Sequence, residues 1–135
     1  MTKLEISTHQ RAEFVDITSR VQEAVRAAKM ESGVVTVFVP HTTAGITINE
    51  NADPDVVADM LDTLERLVPR RGGYRHSEGN ADSHVKASLM GSSVQVVVEG
   101  GKLALGTWQG IYFCEFDGPR RREVWVEVLP SQGRA

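Results

Sequence analysis

The sequence predicts an α+β fold, a single domain of mostly antiparallel β-sheet packed as a sandwich with two main helices and one short helix. Three observations predict it. Short runs alternate apolar and polar residues with a period of two, two longer segments switch to a helical period, and the last third is strand-like between glycine-bearing turns. A chain of 135 residues is long enough for one core, so residues 1–135 are expected to form one domain.

Lys3 to Thr8 and Glu13 to Ile17 alternate and are joined by "HQRA", which suggests an opening hairpin. In "SRVQEAVRAAKM" the period changes. Val21, Ala24, Val25 and Ala28 share one helical face, Ser19 and Gln22 have capping-box spacing, and Gly33 lies just past the end. Val34 to Val39 is apolar or β-branched throughout, as in a strand covered on both sides.

Pro40 then ends this strand, and Gly45 is expected to permit a tight turn from which His41 faces a polar pocket. Asn49 to Asn51 lead into the next helix, with Glu50 looking back towards that pocket. Asp53 and Pro54 form an N-cap and first-turn pair, followed by a stripe of Val57, Met60, Leu61, Leu64 and Leu67 or Val68 that ends before Pro69. "RRGGYRHSEGN", residues 70–80, is a polar glycine-rich loop. Asn80 or Asp82 can cap a short helix through His84, Val85 and Leu89, stopped by Gly91.

Strands are expected at Val94 to Val98, Leu103 to Leu105, Trp108 to Phe116 and Glu123 to Leu129, with turns at Gly100–Gly101 and at "DGPR". In the Trp108 strand, Trp108, Gly110, Tyr112, Cys114 and Phe116 share one face, while Gln109, Ile111, Phe113 and Glu115 share the other.

The composition excludes several classes. Apolar residues make up 41% and charged residues 24%, as in ordinary globular proteins, and no apolar run approaches the ~18 residues of a membrane span. A net charge of −3 argues against a general nucleic-acid binder. Arg70 with Arg71, and Arg120 to Arg122, remain local positive patches suited to a phosphate or a neighbouring subunit, the first pair being equally explained as solvated loop charge. "MTKLEISTHQ" lacks the pattern of a secretory signal, so a cytoplasmic location with no membrane partner is expected. The single Cys114 makes no internal disulfide and is a core thiol, a ligand or a nucleophile, the inert thiol being the commonest case.

His41, His76 and His84 sit in polar or glycine-bearing surroundings, unlike His9. Three imidazoles with a carboxylate or a water form a ligand set suited to Zn²⁺. The eight-residue step from His76 to His84 matches no metal-binding signature, and each histidine alone is also explained as a hydrogen-bonded loop residue. Glu50 and Glu115 are candidate bases. Glu50 is explained as well by helix capping, whereas Glu115, in an otherwise apolar strand, needs a cation, a metal or a proton. Thr42, Thr43 and Ser88, with the nearby glycines, suggest an anion site to which Lys86 or Arg120 supplies charge. Trp108 is placed to stack on an aromatic substrate or to fill a core or interface.

"HTTAGITINEN", "GNADSHVKASLMG" and "GKLALGTWQGIYFCEFDGPRRREVWV" resemble, in order and spacing, the signature blocks of the YjbQ-like family, described as secondary thiamine-phosphate synthases. The resemblance runs from about Glu13 to Val128. It implies a compact α+β subunit, a homotrimer, and sites near subunit boundaries that use the histidine motifs, often with a metal. His41 and His84 match these motifs best, and His76 matches a "Y-x-H" position. The family name implies joining a pyrimidine diphosphate to a thiazole phosphate with release of diphosphate. Three readings follow: a metal-dependent enzyme acting on a phosphorylated small molecule, a metal- or anion-binding trimer without turnover, and a hydrolase with Glu50 or Glu115 as base. Zinc suits the histidines, and magnesium suits a departing diphosphate.

Overall fold

In the computed structural model, residues 1–132 are described; residues 133–135 of the expected domain lie outside them. The elements run β1 (Thr2–Ser7), β2 (Glu13–Asp16), α1 (Thr18–Ala27), β3 (Gly33–Phe38), β4 (Ala44–Glu50), α2 (Pro54–Leu67), α3 (Ala81–Met90), β5 (Ser93–Glu99), β6 (Lys102–Leu103), β7 (Gln109–Glu115) and β8 (Arg121–Pro130). They form a single α+β domain of antiparallel sheets. A five-stranded sheet has the order β1-β8-β3-β5-β6, and a three-stranded sheet the order β2-β7-β4.

The two sheets face each other across the main core. Val35 and Val37 of β3, Val96 and Val98 of β5, and Val124 and Val126 of β8 meet Ile46 of β4 with Ile111 and Phe113 of β7. Helix α1 closes one end with Val21, Ala24 and Val25. The other face of the three-stranded sheet carries a second cluster, in which Tyr112, Cys114 and Phe116 pack with Phe14, Leu64 and Ala87. The two-residue alternation of β7 therefore divides its side chains between two cores, and Cys114 and Glu115 point to opposite faces as the period requires. Cys114 is fully buried, and burial raises its thiol pKa, which matches the inert-thiol reading.

Several local expectations are corrected. The opening hairpin does not form, because β1 pairs with β8 and β2 pairs with β7, in different sheets. The Ser19 capping box is absent. Helix α1 begins at Thr18, and the Asp16 carboxylate accepts from the Thr18 N–H at 2.9 Å and from its hydroxyl at 2.6 Å. Strand β3 is buried on one face only, with Phe38 38% exposed on the other. Residues 44–50 form a strand and not a turn. Gly45 lies inside β4 because a Cβ there would stand 2.8 Å from the Gly91 carbonyl oxygen and 2.9 Å from Met90 Cβ, so its absence lets the end of α3 approach the strand.

Helix α2 starts as expected, with the Asp53 carboxylate accepting from the Asp55 N–H at 2.9 Å and Pro54 in the first turn. Its apolar stripe is only partly covered, Leu64 being buried and Leu67 exposed. Helix α3 reverses the usual pattern: Asp82, Ser83 and Lys86 are buried, while Val85 and Leu89 are exposed. Among the described residues, no helix is long and apolar enough to cross a membrane.

Candidate functional site

Residues 39–43 carry the chain from β3 in one sheet to β4 in the other, and His41 sits in this crossing beside the start of α3. The Glu123 N–H donates to His41 Nε2 at 2.9 Å, while the Glu123 carbonyl oxygen lies 3.1 Å from the same nitrogen. When Nε2 accepts from the Glu123 N–H, Nδ1 carries the proton and can donate to an anion; when Nε2 is protonated and donates to the Glu123 carbonyl, Nδ1 offers a lone pair to a metal. Partial burial, then the nearby Arg122 charge, lowers the His41 pKa.

His41, Thr42 and His84 together line two adjoining cavities. One, of about 390 Å³, also takes in Asn80, Asp117, Arg120 and Arg122. The other, of about 490 Å³, takes in Ser88 and Ser92. The His76 ring stands edge-on to His84 at a centroid distance of 5.4 Å, and its Nε2 lies 3.6 Å from Glu78. Asp117 receives Asn80 Nδ2 at 2.9 Å and Arg120 Nη2 at 3.2 Å, so the Arg120 charge is already paired.

Beneath the first cavity lies a buried ion pair. Strand β8 points Arg122, Val124 and Val126 inward by its two-residue period, and the Arg122 guanidinium meets Glu115 of β7. Arg122 Nε donates to Glu115 Oε1 at 2.9 Å, and Nη2 donates to Oε2 and, at 2.8 Å, to Thr43 Oγ1. Glu115 also accepts from the Thr8 hydroxyl at 2.8 Å and from the N–H groups of Phe116 and Asp117, each at 3.1 Å. Burial pushes the Glu115 pKa up, but the Arg122 bonds, the Asp117 N–H and the Thr8 hydroxyl outweigh it, and the net shift is downward.

The structure thus gathers His41, His84, Thr42, Ser88 and Arg120 around one region, with His76 at its rim. Ser88 lends its hydroxyl to the His84 carbonyl oxygen at 3.0 Å. Five other expected site residues are placed elsewhere or already occupied. Glu50 stands at the far end of β4, about 20 Å from Ala44 at ~3.3 Å per residue, so it does not look back into the histidine pocket. Trp108 lies at that same far end, where its carbonyl accepts from the Asn51 N–H at 2.9 Å, and it is 62% exposed.

Glu115 is fully buried, accepts from five donor groups and does not line the cavity, so it holds Arg122 and is not free to act there as a base. Thr43 is buried and engaged with Arg122. Lys86, expected on phosphate, is buried, with its Nζ 2.6 Å from Glu65 and 2.8 Å from Asp82. Asp82 is further held by Arg11 through bonds of 3.1 and 3.0 Å. This network explains the polar face that α3 buries.

For a metal, the fit is partial. His41 and His84 offer two imidazoles to one cavity, but among the described residues no group of three or more His, Cys, Asp or Glu side chains is gathered to hold an ion. Further ligands would have to be oxygens of a bound molecule or groups of a neighbouring subunit. Sequence reasoning placed Arg122 only within the positive run Arg120 to Arg122 and did not pair it with Glu115. The signal for that pairing was present, because Glu115 in an apolar strand demands a cation, and Arg122 falls in step with Val124 and Val126.

Fold and site together define a small two-sheet α+β protein with a histidine- and arginine-lined cavity where the sheets and α3 meet. The family described as "UPF0047 protein YjbQ-like" matches residues 2–131, and the chain belongs to that family. A UPF0047 protein of Methanocaldococcus jannaschii is 50% identical over 127 residues, covering 94% of this chain and 92% of its own length. The protein YugU of Bacillus subtilis is 50% identical over 127 residues, covering 93% of this chain and 96% of its own. A crystal structure of a YjbQ/UPF0047-family protein from Clostridium acetobutylicum superposes with a TM-score of 0.94 at 54% identity, covering 96% of this chain and all of that one. A conserved hypothetical protein from Thermus thermophilus gives a TM-score of 0.89 at 45% identity, covering 96% of this chain and 100% of its own.

Proposed function

We propose that this chain is a metal-assisted enzyme acting on a phosphorylated small molecule, with thiamine-phosphate synthesis from a pyrimidine diphosphate and a thiazole phosphate as the named candidate. The observation that carries the reading is the convergence of His41, His84 and Thr42 with Arg120 and Arg122 on one cavity. The local charges sharpen it. Arg120 is paired with Asp117 and Arg122 with Glu115, and Glu78 adds a further carboxylate to the wall. A phosphorylated ligand entering this wall needs additional positive charge, and a divalent metal at the imidazoles would supply it by neutralising phosphate oxygens.

Zinc suits the imidazoles, and magnesium would be carried in by a diphosphate. The chain's own residues bind and orient: Thr42 offers a hydroxyl, His41 presents Nδ1, and Arg122 stands at the cavity wall. A homotrimer belongs to this reading, and the exposed Leu67, Val85 and Leu89 on α2 and α3 give apolar surface for an assembly to cover. The test is consumption of the two phosphorylated substrates with zinc or magnesium, comparing wild type with His84→Ala. Loss of turnover in a folded variant is expected, and retained turnover sinks the role given to His84.

A second reading, a metal- or anion-binding trimer without turnover, is favoured by one observation: neither Glu50 nor Glu115 is available in the cavity as a base. In that case metal removal lowers the Tm or splits the assembly while no substrate is consumed. The same observation weighs against a hydrolase using either carboxylate.

A further inference from the structure

A guanidinium carries five N–H donors, and an arginine buried for purely structural reasons spends them on the protein. Arg122 is 4% exposed, yet its bonds to Glu115 and Thr43 use only Nε and Nη2. Nη1, with two of the five donors, has no protein partner among the described residues. Arg122 also lines cavities on both sides of His41, one shared with Thr42 and His84 and one shared with Lys3 and Arg121. The side chain is therefore clamped at three of its donors and open at two.

We infer that Arg122, through Nη1, is the donor that binds an anionic oxygen of the ligand in the His41–His84 cavity. This assignment rests on the proposal that the cavity takes a phosphorylated molecule, and it replaces Lys86 and Thr43 as the phosphate contact. Glu115 is the positioning residue: it grips the Nε–Nη2 edge of the guanidinium and leaves Nη1, on a residue that lines the cavity, without a protein partner among the described residues. Thr43 fixes the plane of the group by accepting from Nη2. A clamped, planar fork loses little freedom on meeting an oxyanion, whereas a lysine ammonium has neither the fork nor the clamp. Arg120, half exposed and tied to Asp117 at 3.2 Å, contributes a weaker and more mobile contact at the mouth.

Inorganic phosphate titrated into the full chain, with ionic strength held constant by chloride, tests the inference. The readout is the guanidinium Nε–H NMR resonance of Arg122, with affinity measured in wild type, Arg122→Lys and Arg120→Lys. The expected result is a saturable shift of the Arg122 signal, a loss of affinity of about tenfold or more in Arg122→Lys, and a change of no more than about threefold in Arg120→Lys. A folded Arg122→Lys protein that binds phosphate within about threefold of wild type overturns the inference. So does a wild-type Arg122 resonance that stays fixed while phosphate binds, and so does a titration in which phosphate does not bind; the wild-type signal decides if the lysine variant fails to fold. Because no metal or turnover is read, failure here leaves the enzyme reading standing, and failure of turnover leaves this result standing.

Discussion

Replacing Glu115 by Gln separates a positioning role from a catalytic one. The amide keeps the shape of the side chain but removes its charge and turns one acceptor into a donor facing other donors. Arg122, Thr8 and the N–H groups of Phe116 and Asp117 then compete for one carbonyl, and a guanidinium that is 4% exposed loses its counter-charge. Breaking a buried pair from one side costs about 3–5 kcal/mol. At about 2.1 cal/mol/K per residue, unfolding 135 residues carries an entropy of roughly 280 cal/mol/K, so the Tm should fall by about 11–18 °C. Thermal melts followed by circular dichroism at neutral pH and fixed protein concentration measure this.

The pH dependence gives an internal check with a fixed sign. The Glu115 pKa is lowered in the folded chain, so its stabilisation is present above the ordinary carboxylate range of about 4.3 and is lost as pH falls through the folded value. The gap between wild type and variant should therefore narrow only on strong acidification. A Tm shift under about 3 °C at neutral pH, with turnover abolished, would refute the positioning argument and restore Glu115 as a base.

Three further outcomes follow from the same contacts. Lys86→Met should lower stability by about 2–4 kcal/mol, because Asp82 keeps Arg11 but loses a buried cation, and phosphate affinity should stay within about twofold; unchanged stability with a tenfold affinity loss would return Lys86 to the phosphate site. Gly45→Ala should cost about 1–3 kcal/mol and displace His84, as the added methyl meets Gly91, Met90 and the Ala87 carbonyl; thermal melts and the His84 NMR signals report both, and an unmoved His84 at unchanged Tm contradicts the close approach. His41, its pKa lowered by burial and by Arg122, should titrate below about 6.5 in the folded chain. Its share of stability is complete above that pH and declines as pH falls through the folded value, so an NMR midpoint above about 6.5 contradicts the placement of Arg122 beside it.

The parts legible in the sequence are those where one period governs one environment. Strand β7 alternates between two cores, and both sets of side chains are read correctly because Tyr112, Cys114 and Phe116 on one side and Ile111 and Phe113 on the other are plainly apolar. Helix α2 is legible from Asp53 and Pro54, whose chemistry is local. The rest depends on partners remote in sequence. Strand β4 reads as a loop because Gly45 and Asn49 carry weak strand preference and follow Pro40, and pairing with β7 makes it a strand. Helix α3 defeats pattern reading by burying Asp82 and Lys86, which Arg11 and Glu65 satisfy from distant positions. The same cause makes Lys86 read as an open charge, whereas its Nζ lies between Glu65 and Asp82, and leaves the Arg122–Glu115 pairing unread within a run of three arginines.

The measurement that bears most directly on the histidine cavity is the metal content of untagged protein after incubation with zinc, by elemental mass spectrometry on wild type, His41→Ala and His84→Ala. About one zinc per chain is expected in wild type, with loss of that ion in both folded variants. Wild-type protein that takes up no zinc, or variants that keep the same content, would contradict it.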